Sequence, residues 1–205
     1  MPNWCFTNIN ISSENKKGLD ELFSLLEDWT SEERNNENGF GHNWLGNIVL
    51  NSKIGTVDTG KKTDCRCRGE IVYMDNLGGE IVIQTETAWA PIMDIWKRVV
   101  DKYLPGAEIT YSAEESGCEI YYTNDPCLQG LYYVDVYTDN DSYTETEFTQ
   151  DAVIDVLREN GISEKEIENF ANSDKEDFWF EIDGDDGYGI SVHAWAFMQI
   201  EELVA

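Results

Sequence analysis

Carboxylates are the side chains of this sequence with both the numbers and the spacing for chemistry. Asp and Glu number 41 against 14 Lys and Arg, and the net charge is −27 over 205 residues. They are densest from Leu131 to Phe197, a stretch with three basic residues, Arg158, Lys165 and Lys175. Alternate residues of a strand stand about 6.6–6.8 Å apart on one side. Glu181 and Asp183 share such a side, and Asp185 continues it into a turn. Asp139, Asp141, Glu145 and Glu147 repeat the same step if their stretch is extended. Duplex DNA presents a phosphate every ~3.4 Å of axis per strand. Rows of carboxylates at such spacings are therefore candidate stand-ins for a polynucleotide, drawn to basic channels by long-range attraction. The candidate partner-binding residues are Asp135, Asp139, Asp141, Glu145, Glu147, Asp174, Glu176, Asp177, Glu181, Asp183, Asp185 and Asp186. The competing reading is a solvated acidic surface with no partner.

Other chemistry is weakly signalled. Asp183-Gly184-Asp185-Asp186-Gly187 has alternating oxygen ligands, but lacks the spaced Glu of a calcium loop and reads more simply as a hairpin turn. Cys65 and Cys67 form a single tight pair without the second knuckle of a structural zinc site, so core thiols are expected. His42 and His193 stand near no cysteine that would make a nucleophilic pair, and His193 is expected to pack or face solvent. Carboxylate pairs for glycoside chemistry carry no signal amid so many acids. No catalytic residue, metal or cofactor is assigned, and the sequence reads as non-enzymatic.

Charge also excludes partners. Nucleic acid and anionic membrane surfaces call for Lys/Arg stripes that are missing here. Self-repulsion at −27 costs stability, and solubility alone requires a magnitude of only about 2–8. Met1-Pro2-Asn3-Trp4-Cys5 carries no secretory pattern, no stretch reaches the ~18 apolar residues of a membrane span, and five scattered cysteines suit reduced thiols. A cytoplasmic location in a host cell is expected.

The elements that would position these residues follow from periodicity. Residues 5–11 alternate as a strand, with Cys5, Thr7, Ile9 and Ile11 on one face. Ser12 or Ser13 would cap a helix whose stripe is Leu19, Leu22, Phe23, Leu26 and Trp29, and residues 30–43 read as a loop. Strands are predicted at 45–51, 68–75 and 80–87, the last two joined by Asn76-Leu77-Gly78-Gly79. A second helix starts near Pro91 with Ile92, Ile95, Trp96, Val99, Val100 and Tyr103 inward. Strands at 107–113 and 118–123 complete an α+β domain with helices on one face of an antiparallel sheet. A boundary near Asn124-Asp125-Pro126 divides residues 1–127 from a small acidic α+β module, 128–205. That module reads as strand 131–138, helices 148–159 and 164–171, and strands 177–183 and 189–196. Ser163 with Glu166 forms a capping box, and Asn160-Gly161 ends the preceding helix. Trp29 and Trp96 belong to cores, while Tyr121, Tyr122, Tyr132 and Tyr133 are expected to be partly exposed and open to interface use.

Four short motifs, Pro2-Asn3-Trp4-Cys5, Arg68-Gly69-Glu70-Ile71, Thr87-Ala88-Trp89-Ala90-Pro91 and Glu115-Ser116-Gly117, occur in an order that resembles the YubB-type ferredoxin-like family of phage and plasmid proteins. The likeness covers about residues 1–125. Where the family usually has Trp-Ser-Pro-Pro, this chain has Trp89-Ala90-Pro91-Ile92. The resemblance implies a ferredoxin-like fold and a mobile-element origin, and it brings no catalytic residues.

Together these observations lead to the expectation of a phage or mobile-element anti-defence inhibitor, of anti-CRISPR or antirestriction type. It would act as an acidic nucleic-acid mimic in the basic groove of a host nucleic-acid-binding defence protein, with a homodimer compatible. The alternative is a structural or assembly protein whose acidity only confers solubility.

Overall fold

A computed structural model describes residues 3–34, 40–57, 64–138, 142–173, 175–182 and 188–204, apart from the side chains of Thr146 and Glu147. The protein is α+β, with antiparallel sheets, and divides into two units: Met1–Asn124 together with Met198–Ala205, and Asp125–Phe197.

In the first unit, β1 (Trp4–Ser12) turns Cys5, Thr7, Ile9 and Ile11 inward and Trp4, Phe6 and Asn8 outward, as alternation predicts. Helix α1 (Lys16–Trp29) buries Leu19, Leu22, Leu26 and Trp29. Its N-cap is Asn15, whose Oδ1 accepts from Gly18 N–H at 3.0 Å. Ser13 instead accepts from Asn15 N–H at 3.2 Å, so the cap falls beyond the two serines expected to supply it.

The predicted strand at 45–51 is a helix, α2 (Leu45–Ser52). Leu45, Ile48, Val49 and Ser52 are buried at helical steps, a pattern that a short apolar run does not separate from a strand. Tertiary contacts decide it. Asn47, fully buried, donates from Nδ2 to the carbonyls of Gly41 and His42, both at 3.0 Å. At the other end, the Ser52 carbonyl accepts from Tyr103 Oη at 2.6 Å and Lys102 Nζ at 2.8 Å, filling an acceptor that a helix end leaves open.

Two short parallel strands, β2 (Thr56–Val57) and β3 (Asp64–Cys65), precede the hairpin of β4 (Gly69–Asn76) and β5 (Glu80–Ala88). Gly78 supplies the positive φ of +80° that the turn requires. Helix α3 (Asp94–Tyr103) begins three residues after Pro91, where its start was expected. The delay has a local cause: Trp89 adopts φ +72°, its N–H bonds to Asn3 O at 3.0 Å, and Thr87 Oγ1 donates to Ala90 O at 2.8 Å, making a corner. Strands β6 (Glu108–Glu115) and β7 (Ile120–Thr123) follow, separated by a 3-10 turn over Ser116–Cys118 where strand was expected from 118. The strands lie in the order β7-β6-β1-β5-β4, all neighbours antiparallel. One core joins Ile9, Ile11, Ile81, Ile83 and Tyr111 of the sheet to the inner faces of α1, α2 and α3, with Trp96 fully buried.

The second unit contains β8 (Tyr132–Tyr137), β9 (Tyr143–Phe148), α4 (Gln150–Glu159), α5 (Glu164–Ala171), β10 (Asp177–Glu181) and β11 (Gly189–Ala194). Its sheet order is β10-β11-β8-β9, again antiparallel. The end of α4 shows why Asn160-Gly161 is legible as a stop. With Gly161 at φ +79°, its N–H reaches Arg158 O at 3.1 Å and Ile162 N–H reaches Leu157 O at 3.0 Å. The Ser163–Glu166 capping box then starts α5. Val134, Val136, Phe180, Ile190 and Val192 of one sheet face pack on Val153, Leu157, Ile167 and Phe170 of the helices.

From Met198 the chain rejoins the first unit rather than continuing the second, as the sequence division had it. Helix α6 (Ile200–Val204) buries Ile200 in the first core, and Tyr111 Oη donates to Met198 O at 2.8 Å.

Candidate functional site

The second unit contributes 19 of the 41 acids and 3 of the 14 basic residues. Antiparallel register places its side chains row by row. On the sheet face turned away from α4 and α5, Glu181, Gly189 and Tyr137 form one row. Trp179, Ser191, Asp135 and Thr144 form the next, and Asp177, His193 and Tyr133 the third. Neighbouring rows are about 6.6–6.8 Å apart and neighbouring strands about 4.7–4.9 Å.

Of the sequence-predicted acids, Glu145, Glu176, Asp177 and Glu181 are exposed. Asp177 and Glu181 share this face, whereas Glu176 stands at a bend just before the strand. Asp177 Oδ1 lies 2.6 Å from Nδ1 of His193, directly across the strands, so His193 is half-buried and tied to a carboxylate. Asp135 is not displayed: it is 7% exposed, and its Oδ1 accepts from the Thr144 hydroxyl. Asp135 pairs with Ser191 on one side and Thr144 on the other, so neighbouring strands flank its carboxylate on both sides. Asp139, Asp141, Asp174, Asp183, Asp185 and Asp186, with the Asp183–Gly187 turn, lie outside the described residues, as does the side chain of Glu147. The strand ends flanking the first and last acid runs nevertheless adjoin: Tyr137, Gly189 and Glu181 share a row, and Tyr143 pairs with the adjacent Val136.

Further acids lie on the helices, across the sheet from this face, and none of them was among the candidates. Asp151, Asp155 and Glu159 are exposed on α4 at four-residue steps, about 6 Å apart along the axis. Glu164, Glu166 and Glu168 are exposed on α5. The four-residue recurrence was present in the sequence and would have found the α4 stripe. Like charges at that spacing destabilise a helix. Arg158 offsets part of this, meeting Glu164 at 2.9 Å and Asp155 at 3.9 Å. That pairing raises the Arg158 pKa and lowers that of Glu164, first through their hydrogen bond.

Three of the thiols, Cys5, Cys65 and Cys118, are held toward the protonated form. Cys65 and Cys67 are fully buried, as expected of core thiols. Burial raises the Cys65 pKa and pushes that of Cys5 up to about 12. Cys118 is exposed, but its hydrogen bond to the Glu115 carboxylate holds its pKa up. A thiol held protonated is a poor nucleophile. Among the described residues, no group of three or more His, Cys, Asp or Glu side chains forms a metal-binding set. The expectation of partly exposed tyrosines holds for two of the four. Tyr121 and Tyr133 are buried and Tyr122 and Tyr132 half-buried, while Tyr73, Tyr137 and Tyr143 are exposed.

The four motifs of the first unit converge at one end of its sheet. Cys5 and Gly69 both pair with Thr87, Ala88 N–H bonds to Arg68 O at 3.0 Å, and Asn3 accepts from Trp89. A Cβ on Gly69 would stand 2.4 Å from Glu86 O, and one on Gly117 would stand 2.1 Å from Asn3 Nδ2. Glu115, 5% exposed, accepts from Gly117 N–H through Oε1 at 2.9 Å. These residues close a corner of the fold. Among the described residues, no helix is long and apolar enough to cross a membrane. No protein-family model, curated protein or solved structure matches the chain.

Proposed function

We propose that this chain is a non-enzymatic inhibitor of mobile-element origin, of anti-CRISPR or antirestriction type, acting as an acidic nucleic-acid mimic. Its second unit offers carboxylates to the Lys and Arg that line the basic groove of a host nucleic-acid-binding defence protein. The observation that carries this reading is the outward placement of acid on a folded module. Among the described acids of Leu131–Phe197, only Asp135 is buried, while three basic residues share that stretch. Repulsion among such groups costs stability, and a cationic partner relieves it. The first unit is read as a YubB-type ferredoxin-like domain, supported by its strand-helix-strand-strand-helix-strand core and the order β6-β1-β5-β4.

The test is capture of a host protein on the immobilised full chain at about 50 and about 200 mM salt, followed by elution with duplex DNA. Retention that weakens steeply with salt and release by DNA are expected. Capture indifferent to both would overturn the mimic reading. A structural or assembly role has its own support in Trp4, Phe6 and Tyr73, which are 44–47% exposed and share the outward face of the first sheet. It predicts self-association through that face, lost in Phe6→Ser by sedimentation.

A further inference from the structure

We propose that Trp179, with Tyr137 and Glu181, is a receptor for a single arginine side chain on the surface of a basic protein partner. The inference rests on the reading that the partner is a basic protein, and it names the contact that would distinguish arginine from a generic positive charge.

The site begins with a missing side chain. Gly189 stands between Glu181 and Tyr137 in their cross-strand row. A Cβ there would come within 2.4 Å of Cζ2 of Trp179, so the indole lies across the glycine. It therefore reaches out of its own row and into the row that ends on Glu181. There it meets Tyr137, with ring centroids 6.3 Å apart and planes inclined at 39°. Despite this contact Trp179 is 51% exposed and Tyr137 42% exposed, the most open aromatic pair of the second unit's described sheet.

Burial against the sheet and the nearby Asp135 carboxylate raise the Tyr137 pKa, so its ring carries no phenolate charge at neutral pH. Glu181 is exposed on the same side of β10 as the indole, with Asp177 two further residues back. An electron-rich ring face bordered by carboxylates attracts cations. A planar guanidinium can stack on the indole while its N–H fork meets a carboxylate, a geometry that the compact lysine ammonium does not share. Trp and Tyr are also the residue types that most often anchor interfaces.

The test uses the full chain and two labelled peptides of equal charge, a Gly-Arg repeat and a Gly-Lys repeat, with binding read by fluorescence anisotropy at about 150 mM salt. The wild type is expected to prefer the arginine peptide by roughly tenfold. Trp179→Ala should remove that preference, Trp179→Phe should keep part of it, and Glu181→Gln should weaken the arginine peptide more than the lysine peptide. Changing Asp151→Asn, Asp155→Asn and Glu159→Gln together should weaken both peptides equally and leave the ratio intact. Unchanged thermal unfolding of Trp179→Phe excludes misfolding as the cause. A wild-type ratio near one, or a ratio that survives Trp179→Ala, overturns the arginine site while leaving the acidic-mimic reading standing. Failure of both peptides to bind overturns both.

Discussion

The two units each set helices against one face of an antiparallel sheet, yet they distribute charge differently. The first unit holds 22 acids and 11 basic residues, and the second 19 and 3. In the first, cations tie elements together: Lys97 bridges Asp101 and Glu201 at 3.2 and 3.7 Å, and Lys102 closes the end of α2. In the second, Arg158 is the one Lys or Arg among the described residues that links one helix to the next, through Glu164. A sheet-and-helix core demands apolar residues on one side and leaves the other side free. Both cores meet that demand, one around Trp96 and the other around Phe170, which touches Tyr132, Phe178 and Phe180 edge-on. The acidity of the second unit is therefore a choice made on its free surface, and folding does not require it.

The comparison breaks most visibly at the cores. Phe170→Ala should cost the second unit about 3–5 kcal/mol and expose its amides to hydrogen exchange while those of β1 and β5 stay protected. Equal loss of protection in both units would show that they unfold as one. Salt should act next. Raising ionic strength screens like charges, so the second unit's opening free energy should rise more than the first's, again by hydrogen exchange; equal responses would deny the second unit its excess repulsion.

The smallest effect concerns pH. Burial raises the pKa of Asp94 despite Arg98 at 3.8 Å. The folded first unit therefore prefers this group protonated, and its ionisation costs stability as pH rises through the carboxylate range. Glu164 has a lowered pKa, so its contribution is present above the unfolded value and is lost as pH falls through the folded one. Asp94→Asn should slightly stabilise the first unit at neutral pH and flatten its acid limb, whereas Glu164→Gln should slightly destabilise the second there. Unfolding curves between about pH 3 and pH 7 would check both signs.

Much of this fold is legible in the order of residues. Strand β1, the stripe of α1, the β4–β5 hairpin and the stop-and-restart between α4 and α5 each depend on neighbours within a few positions. Local backbone geometry and capping suffice for them. The candidate site was legible in part. Acidic density is plain, and Asp177 and Glu181 share an exposed face, but the α4 stripe follows a four-residue step that the two-residue spacing of a strand does not reveal. Asp135 looked like its acidic neighbours, and nothing local distinguishes a carboxylate beside Thr144 from one in water.

By itself, then, the sequence determined the excess of acid, the two apolar cores and most element types, because composition and short-range periodicity are properties of the chain. Only the tertiary structure decided that residues 45–52 form a helix, that α6 returns to the first core, that Asp135 is shielded and that Trp179 lies over Gly189. Each of those depends on what a distant strand or helix places opposite, and burial and hydrogen-bond satisfaction are settled only when those partners meet.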